Sequence, residues 1–267
     1  ACILPHGVLF RGNAEADIRR NLVRKGYLKG IIGLPPNIFY GTGIPACIVV
    51  LDKEGAAARK GIFLIDASKG FLKDGAKNRL RARDIHKIVD TFTRAVEIPK
   101  YSRMVSFAEI EKNDYNLNLP RYIDSTEPED LQDIDGHLNG GIPGRDVDAL
   151  FDYWTVCPKL RAALFKPLRK GYLTLIPDKA AIKAAIYGHP EFESFIQGMN
   201  AHFAAWRKKA AKHLRELKTN FYPRDLIGDL SDGLLDHYEG KPLIDPYAVY
   251  QHLMDYWAET LQDDAYL

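Results

Sequence analysis

Gly33 to Leu51 reads GLPPNIFYGTGIPACIVVL. An apolar run climbs to Leu34 and is stopped by Pro35 and Pro36. The aromatic pair Phe39-Tyr40 then precedes Gly41-Thr42-Gly43, Pro45 closes the loop, and a second apolar run, Ala46 to Leu51, leaves. Prolines and glycines set between two apolar runs predict strand, exposed aromatic loop, strand. The loop is too short for a crossover helix, so the second strand should return antiparallel beside Gly30–Leu34. Two readings of the aromatics are open. One or both fold back onto the sheet, or they form a stacking platform for a planar ligand, such as an extruded nucleobase, at the strand ends of an open α/β sheet.

Upstream, Cys2–Leu4 is a short apolar run expected to end a buried strand, broken by Pro5-His6-Gly7. Asn13 is placed to cap a helix carrying Ala14, Ile18 and Leu22 on one stripe, with Gly26 past its end. Strand, helix, strand of this length predicts a βαβ unit with parallel strands. Downstream, Gly61–Asp66 is a further strand and Lys69–Arg83 a basic, glycine-bearing segment. A helix from about Asp84 should bury Ile85, Ile88, Val89 and Phe92. Ser106 and Glu109 form a capping box. Tyr115, Leu117 and Leu119 alternate with polar residues, as in a short edge strand interrupted by Pro120.

The acidic stretch Ser125–Asp135 and the breaker cluster NGGIPG at 139–144 predict a linker over residues 126–145. It separates an α/β part, residues 1–125, from a mainly helical part, residues 146–267. In the latter, Val147, Leu150, Phe151 and Trp154 have helical spacing, and Asp178 should cap a helix with Ile182 and Ile186. A long helix over 191–218, roughly 40 Å at 1.5 Å per residue, carries a seam: Phe192, Ile196, Met199, Phe203, Trp206, Ala210, Leu214 and Leu217. Two further helices are expected near 226–238 and 247–261.

The 267 residues suffice for one large domain or two ordinary ones, and no window is apolar enough to span a membrane. Three scattered cysteines, Cys2, Cys47 and Cys157, argue for a reducing cytoplasm and read as small buried apolar residues. The eight histidines lack metal-ligand spacing, so no metal is expected. The net charge of +2 hides four blocks: +8 over 1–125, −7 over 126–155, +9 over 156–222 and −8 over 223–267. The basic blocks are either polyanion-binding surfaces or ordinary solvated faces. No nucleophile motif is present, and Gly41-Thr42-Gly43 is not a phosphate loop because no Lys-Ser/Thr follows. The chain opens without an initiator Met and closes on DDAYL, which suggests a piece of something longer.

Five segments follow one another in order: ILPHGVLFRG, IRRNLV, IIGLPPNIFYGTGIPACIVVL, NRLRARDIHKIVDTF and YSRMVSFAEIEKNDYNLNLPRYID. The series closely resembles the modification (methyltransferase) subunit of type I restriction-modification systems, which are adenine-N6 DNA methyltransferases using S-adenosylmethionine. It covers residues 1 to about 125, with a looser likeness in KPLIDPYAVYQHLMDYWAETLQDD. The resemblance implies the C-terminal part of a Rossmann-like methyltransferase sheet with an antiparallel last strand. Cys2–Leu4 would be its fifth strand, Gly30–Leu34 the sixth and Ala46–Leu51 the seventh. Phe39 would stack on the flipped adenine, with Tyr40 able to share the role. Pro5, His6, Gly7, Gly41, Thr42 and Gly43 would form active-site loops. Arg11, Lys77, Arg79, Arg81 and Arg83 would face DNA phosphates or, equally, sit on a solvated loop. The family's glycine-rich cofactor loop and Asn-Pro-Pro-aromatic motif do not occur here, so no catalytic set is complete and the chain should be inactive alone. The resemblance also implies partners: DNA, a specificity subunit and a restriction subunit. An alternative is a non-catalytic helical assembly module docking on the specificity subunit through 146–267. A third is an unrelated α/β nucleic-acid-binding protein.

Overall fold

The apolar runs on either side of the aromatic loop become neighbouring strands of one sheet. The structure, a computed structural model, describes residues 1–126, 132–218 and 220–263. It divides into two compact units, Ala1–Pro128 and Glu129–Leu267. Residues 127–131 of the acidic stretch, Thr219 and the last four residues lie outside the described residues.

The first unit runs β1 (Cys2–Pro5), α1 (Asn13–Arg24), β2 (Leu28–Gly33), β3 (Ala46–Leu51), β4 (Gly61–Asp66), a small hairpin β5 (Leu72–Asp74) and β6 (Lys77–Arg79), α2 (Ala82–Arg94), β7 (Ser102–Ser106) and α3 (Phe107–Lys112). The main sheet has the order β1-β3-β2-β4-β7. β3 pairs antiparallel with β2, Ile31 opposite Val49 and Gly33 opposite Cys47, as the short loop requires. β1 and β2 are parallel, as the βαβ pattern predicts, but β3 lies between them and is antiparallel to both. β4 is parallel to β2, and β7 is antiparallel to β4. The α/β class with an antiparallel inserted strand is therefore what the chain adopts.

Two cores form on the two faces. One gathers Leu9, Val23, Ile31, Val49, Ile62, Leu64, Val105, Ile110, Leu117 and Leu119; the other gathers Ile32, Leu34, Phe63, Ile65 and Ile88, with Phe92 and Leu80 packed against it. Gly30 and Gly33 admit these layers: a Cβ on Gly30 would meet Phe92 at 2.4 Å, and one on Gly33 would meet Leu119 at 2.3 Å.

Several local expectations give way. β1 is exposed along its length, because as an edge strand it is covered from one side only. Cys2 is accordingly exposed, whereas Cys47 and Cys157 are buried. Asn13 makes no side-chain cap; Gly12 occupies the cap position of α1, and Asn13 has a φ of 56°. The inward face of α1 carries Arg19 and Val23, while Ile18 is 61% exposed. On α2, Ile88 and Phe92 face the sheet but Ile85 and Val89 are exposed. Tyr115, Leu117 and Leu119 are buried without forming a strand. Asp114 and Tyr115 have positive φ, a 3-10 turn covers Leu119–Arg121, and the alternation arises from successive turns. The cap at Ser106 does form, its hydroxyl accepting from the Glu109 amide at 3.2 Å.

Arg19 explains the altered face of α1. It is buried and donates to the carbonyls of Tyr115 (2.7 Å), Val8 (3.0 Å) and Arg11 (3.0 Å). Its guanidinium thus ties two irregular segments, residues 8–11 and the turn at Tyr115, to the helix. Arg19→Met is expected to destabilise the unit by about 3 kcal/mol, because the buried carbonyls lose charged donors worth about 1.5–3 kcal/mol each. Urea denaturation of the chain measures it; an unchanged midpoint would contradict the tie.

The second unit contains α4 (Ile134–Asn139), β8 (Ile142–Pro143), α5 (Gly144–Asp148), α6 (Phe151–Val156), α7 (Pro158–Leu164), β9 (Phe165–Arg169), β10 (Tyr172–Leu175), α8 (Ile182–Tyr187), α9 (Pro190–Arg215), α10 (Pro223–Tyr238) and α11 (Pro246–Thr260). It is mainly helical, with an added three-stranded sheet in the order β8-β10-β9. The described end of the expected linker is folded into that sheet rather than left as a spacer. Asp133 caps α4, accepting from the Gly136 amide, and its carboxylate also takes the Tyr172 hydroxyl at 2.7 Å. Leu150 and Phe151 are exposed, so the helical stripe from Val147 is broken into two short helices. Asp178 precedes a 3-10 turn without a side-chain cap. α9 is the long helix, at 26 residues. Phe192 packs against the Cys157–Leu160–Leu164 cluster, and Ala210 and Leu217 pack against Leu226, Leu230 and Trp257. His202 and His237 stack at 3.6 Å between α9 and α10, each ring meeting the other residue's carbonyl.

Candidate target-base platform

Parallel β1, β2 and β4 end on the same edge of the sheet, where antiparallel β3 begins. Pro5-His6-Gly7, the aromatic loop and Asp66 therefore converge. The His6 amide donates to the Pro45 carbonyl at 3.0 Å, joining the first two. Open α/β sheets bind ligands at such carboxyl edges.

Within the loop, Tyr40 is 92% exposed and Phe39 39% exposed, so neither ring is committed to the core. Ile38, just before them, does pack on the Ile32–Ile65–Ile88 core and roots the loop. Gly41 has a φ of 77°, which only glycine adopts without strain. Thr42 turns the chain, its hydroxyl accepting from the Ile44 amide at 3.0 Å. Gly43 lies close to the Asn37 side chain, since a Cβ there would meet Oδ1 at 3.0 Å. The loop rests on the β5–β6 hairpin: Asn78 donates from its backbone to the Asn37 carbonyl and from Nδ2 to the Pro36 carbonyl, and Lys77 donates to the Phe39 carbonyl. The Lys77 ammonium also lies 5.3 Å from the Tyr40 ring centre, a cation–π distance.

His6 is half-buried, and burial pushes its imidazole below the ordinary value while the charge of Asp66 pulls the other way. It is the neutral ring that borders the edge at pH 7. Asp66 is buried and accepts from the Ser68 amide at 3.1 Å. Tyr101 sits close by under Lys87, whose ammonium lies 4.4 Å from the ring centre; burial, then Asp84 and Asp66, push its hydroxyl up.

The cationic candidates differ. Arg79 meets Asp74 at 3.5 Å and Arg11 meets Glu15 at 3.7 Å, both pairs exposed. Such pairs are worth little and leave the charges open to exchange. Arg81 holds Asp84 in a fork, Nε at 2.8 Å and a second nitrogen at 3.1 Å, and Arg83 approaches the same carboxylate at 3.7 Å. Those two arginines serve the start of α2 instead, where Asp84 also accepts from the Arg81 amide. Burial alone would raise the Asp84 carboxyl; the Arg81 hydrogen bonds outweigh it and hold it below the usual carboxylate range. A depressed folded-state value stabilises the fold above the unfolded value of 3.8 and is lost as pH falls through the folded one. Asp84→Asn should therefore cost about 1 kcal/mol at pH 7, the ordinary worth of an N-terminal cap. The gap should close below pH 3.8 in denaturation curves. A gap constant with pH would contradict the pairing.

Burial raises the Cys47 thiol to about 11 and also raises Cys157, so neither is a nucleophile. Among the described residues no group of His, Cys, Asp and Glu could hold a metal ion, and no helix is long and apolar enough to cross a membrane. Asp66 and Asn78 were invisible to pattern reading, because an isolated polar residue carries no periodicity.

The chain is an α/β protein whose mixed sheet has an inserted antiparallel strand and an exposed aromatic loop on its carboxyl edge. Residues 1–131 match the family model for N-6 DNA Methylase. It is 40% identical over 137 residues to the type I restriction enzyme MjaVII methylase subunit of Methanocaldococcus jannaschii, a match covering 50% of this chain and 23% of that protein. It is 34% identical over 128 residues to the MpnII methylase subunit of Mycoplasma pneumoniae, covering 48% and 23%. Among solved structures, the type I restriction-modification methyltransferase subunit from Streptococcus thermophilus aligns with a TM-score of 0.43 and 45% identity, over 46% of this chain and 26% of that one. The chain thus spans about a quarter of the length of the relatives it matches.

Proposed function

We propose that this chain is the target-base and DNA-facing part of a type I modification subunit, which transfers a methyl group from S-adenosylmethionine to adenine N6 in DNA. The observation that carries the reading is the loop with Phe39 and Tyr40 outward on the carboxyl edge, inside the segment that matches the N-6 DNA Methylase family. An adenine must leave the helix before its amino group can be reached, at a cost of a few kcal/mol. The face of Phe39 repays part of that cost by stacking. Lys77 and Arg79 on the hairpin, with Arg11 beside Gly7, neutralise phosphates and read no sequence. Arg81 and Arg83 contribute through Asp84 and the placement of α2.

The residues present do not fit S-adenosylmethionine. No glycine-rich cofactor loop or Asn-Pro-Pro-aromatic run occurs in the chain, and the turn after β1 carries the exposed Arg11 side chain against Gly7. In this reading the chain by itself is inactive, and the remainder of the natural subunit supplies cofactor and amino-group contacts. The free thiols suit a cytoplasmic setting.

A second reading concerns assembly. A groove of about 370 Å³ between α9, α10 and α11 is lined by Phe203, Trp206, Leu214, Leu230, Leu253 and Trp257. It suits helices of the specificity subunit, with the restriction subunit joining the same complex. The test of the main reading is mass spectrometry of nucleosides from duplex DNA treated with the full-length natural subunit, a specificity subunit and S-adenosylmethionine. N6-methyladenine is the expected product; methylcytosine, or no methylation, would overturn it.

A further inference from the structure

Three carbonyls of the aromatic loop, those of Pro36, Asn37 and Phe39, take their hydrogens from two adjacent residues of the β5–β6 hairpin. Asn78 Nδ2 reaches Pro36 at 2.7 Å, the Asn78 amide reaches Asn37 at 2.9 Å, and the Lys77 ammonium reaches Phe39. Asn37 stands in the left-handed region, φ 57°, so the loop bends sharply where Asn78 grips it. The hairpin is short, three pairs closed by Gly75 at φ 60°, and its base is fixed by Leu80 in the same core that receives Ile38. Loop and hairpin are thus rooted together and cross-tied above the root. The hairpin also presents exposed Lys73 and Arg79.

We infer that the hairpin is a clamp that sets the attitude of the aromatic platform, with Asn78 as its positioning residue. The inference rests on the base-platform reading for its catalytic consequence, but the clamp itself does not. Asn78 never touches the base. It restricts where the Phe39 ring can stand when the base arrives, and displacement of a reacting group by about 1 Å costs on the order of a hundredfold in rate. Removing it should therefore lower kcat while leaving KM for DNA nearly unchanged, since the phosphate-facing cations stay in place.

The experiment has two arms on Asn78→Ala. In the chain itself, chymotrypsin cleavage after Phe39 and Tyr40 should accelerate several-fold while the melting temperature holds. In the full-length subunit with its specificity subunit, kcat should fall by about tenfold or more with KM for DNA little changed. Lys77→Met, which loses donation to the Phe39 carbonyl, should also accelerate cleavage and stands in for the cleavage arm alone if Asn78→Ala does not fold, because Lys77 also faces DNA phosphates in the proposed function. Unchanged cleavage would overturn the clamp whatever the activity. Faster cleavage with unchanged kcat would overturn the positioning role and count against the base platform, leaving only the contacts.

Discussion

Phe39→Ala in the full-length subunit, assembled with its specificity subunit, is expected to lower kcat/KM for adenine methylation in duplex DNA by about tenfold to a hundredfold. Stacking of a base on an aromatic ring is worth about 1–3 kcal/mol by alanine substitution, and each 1.36 kcal/mol is about a factor of ten. The loss should be smaller on DNA carrying a mismatch at the target, where less unstacking work remains to be repaid. Phe39→Trp should retain most activity, since the requirement is a π face. Tyr40→Ala should cost less than Phe39→Ala, because the Tyr40 ring already has the Lys77 ammonium 5.3 Å from its centre and stands almost wholly in solvent. Steady-state methylation with labelled cofactor measures all four. Equal rates for wild type and Phe39→Ala would remove the ring from the reaction.

The second large effect is on stability. Leu64 lies in the middle of β4, fully buried, with β2 parallel on one side and β7 antiparallel on the other. Leu64→Ala is expected to destabilise the first unit by about 3 kcal/mol, the lost transfer energy plus a cavity between layers that cannot close freely. Ile18→Ala, removing a similar side chain from an exposed position on α1, should change stability by less than about 0.5 kcal/mol. Calorimetry on the two variants decides whether the core lies where the sheet order puts it. Similar losses for both would mean that Ile18 is covered and the face of α1 is misplaced.

That pair also shows what could be read from the chain. The loop between Leu34 and Ala46 announced itself, because prolines and glycines force a turn and its shortness forces an antiparallel return. Whether its aromatics fold back onto the sheet was left open by the pattern, and the structure leaves both exposed. Strand order was not legible: that β3 inserts between β1 and β2 depends on pairing across the sheet, which no local pattern records. The face of α1 was misassigned because a buried arginine with three carbonyl partners displaces an apolar stripe, so counting apolar residues selects Ile18 over Arg19. The β9–β10 hairpin was hidden by Pro167 and a run of basic residues, although Lys170-Gly171, with Gly171 at φ 80°, is a turn signal between two short runs. At the site, the aromatics were visible as types out of place. The hairpin that holds them was visible only as charge, and its ties through Asn78 required the fold.

In the proposed function the loop over residues 35–45 receives an extruded adenine. Fluorescence of 2-aminopurine tests it most directly, placed at the target adenine or at flanking positions of duplex DNA bound by the full-length subunit with its specificity subunit. Extrusion onto Phe39 requires a change in emission confined to the target position, with a lifetime that Phe39→Ala alters. Emission that is the same at target and flanking positions, or indifferent to Phe39, would contradict it.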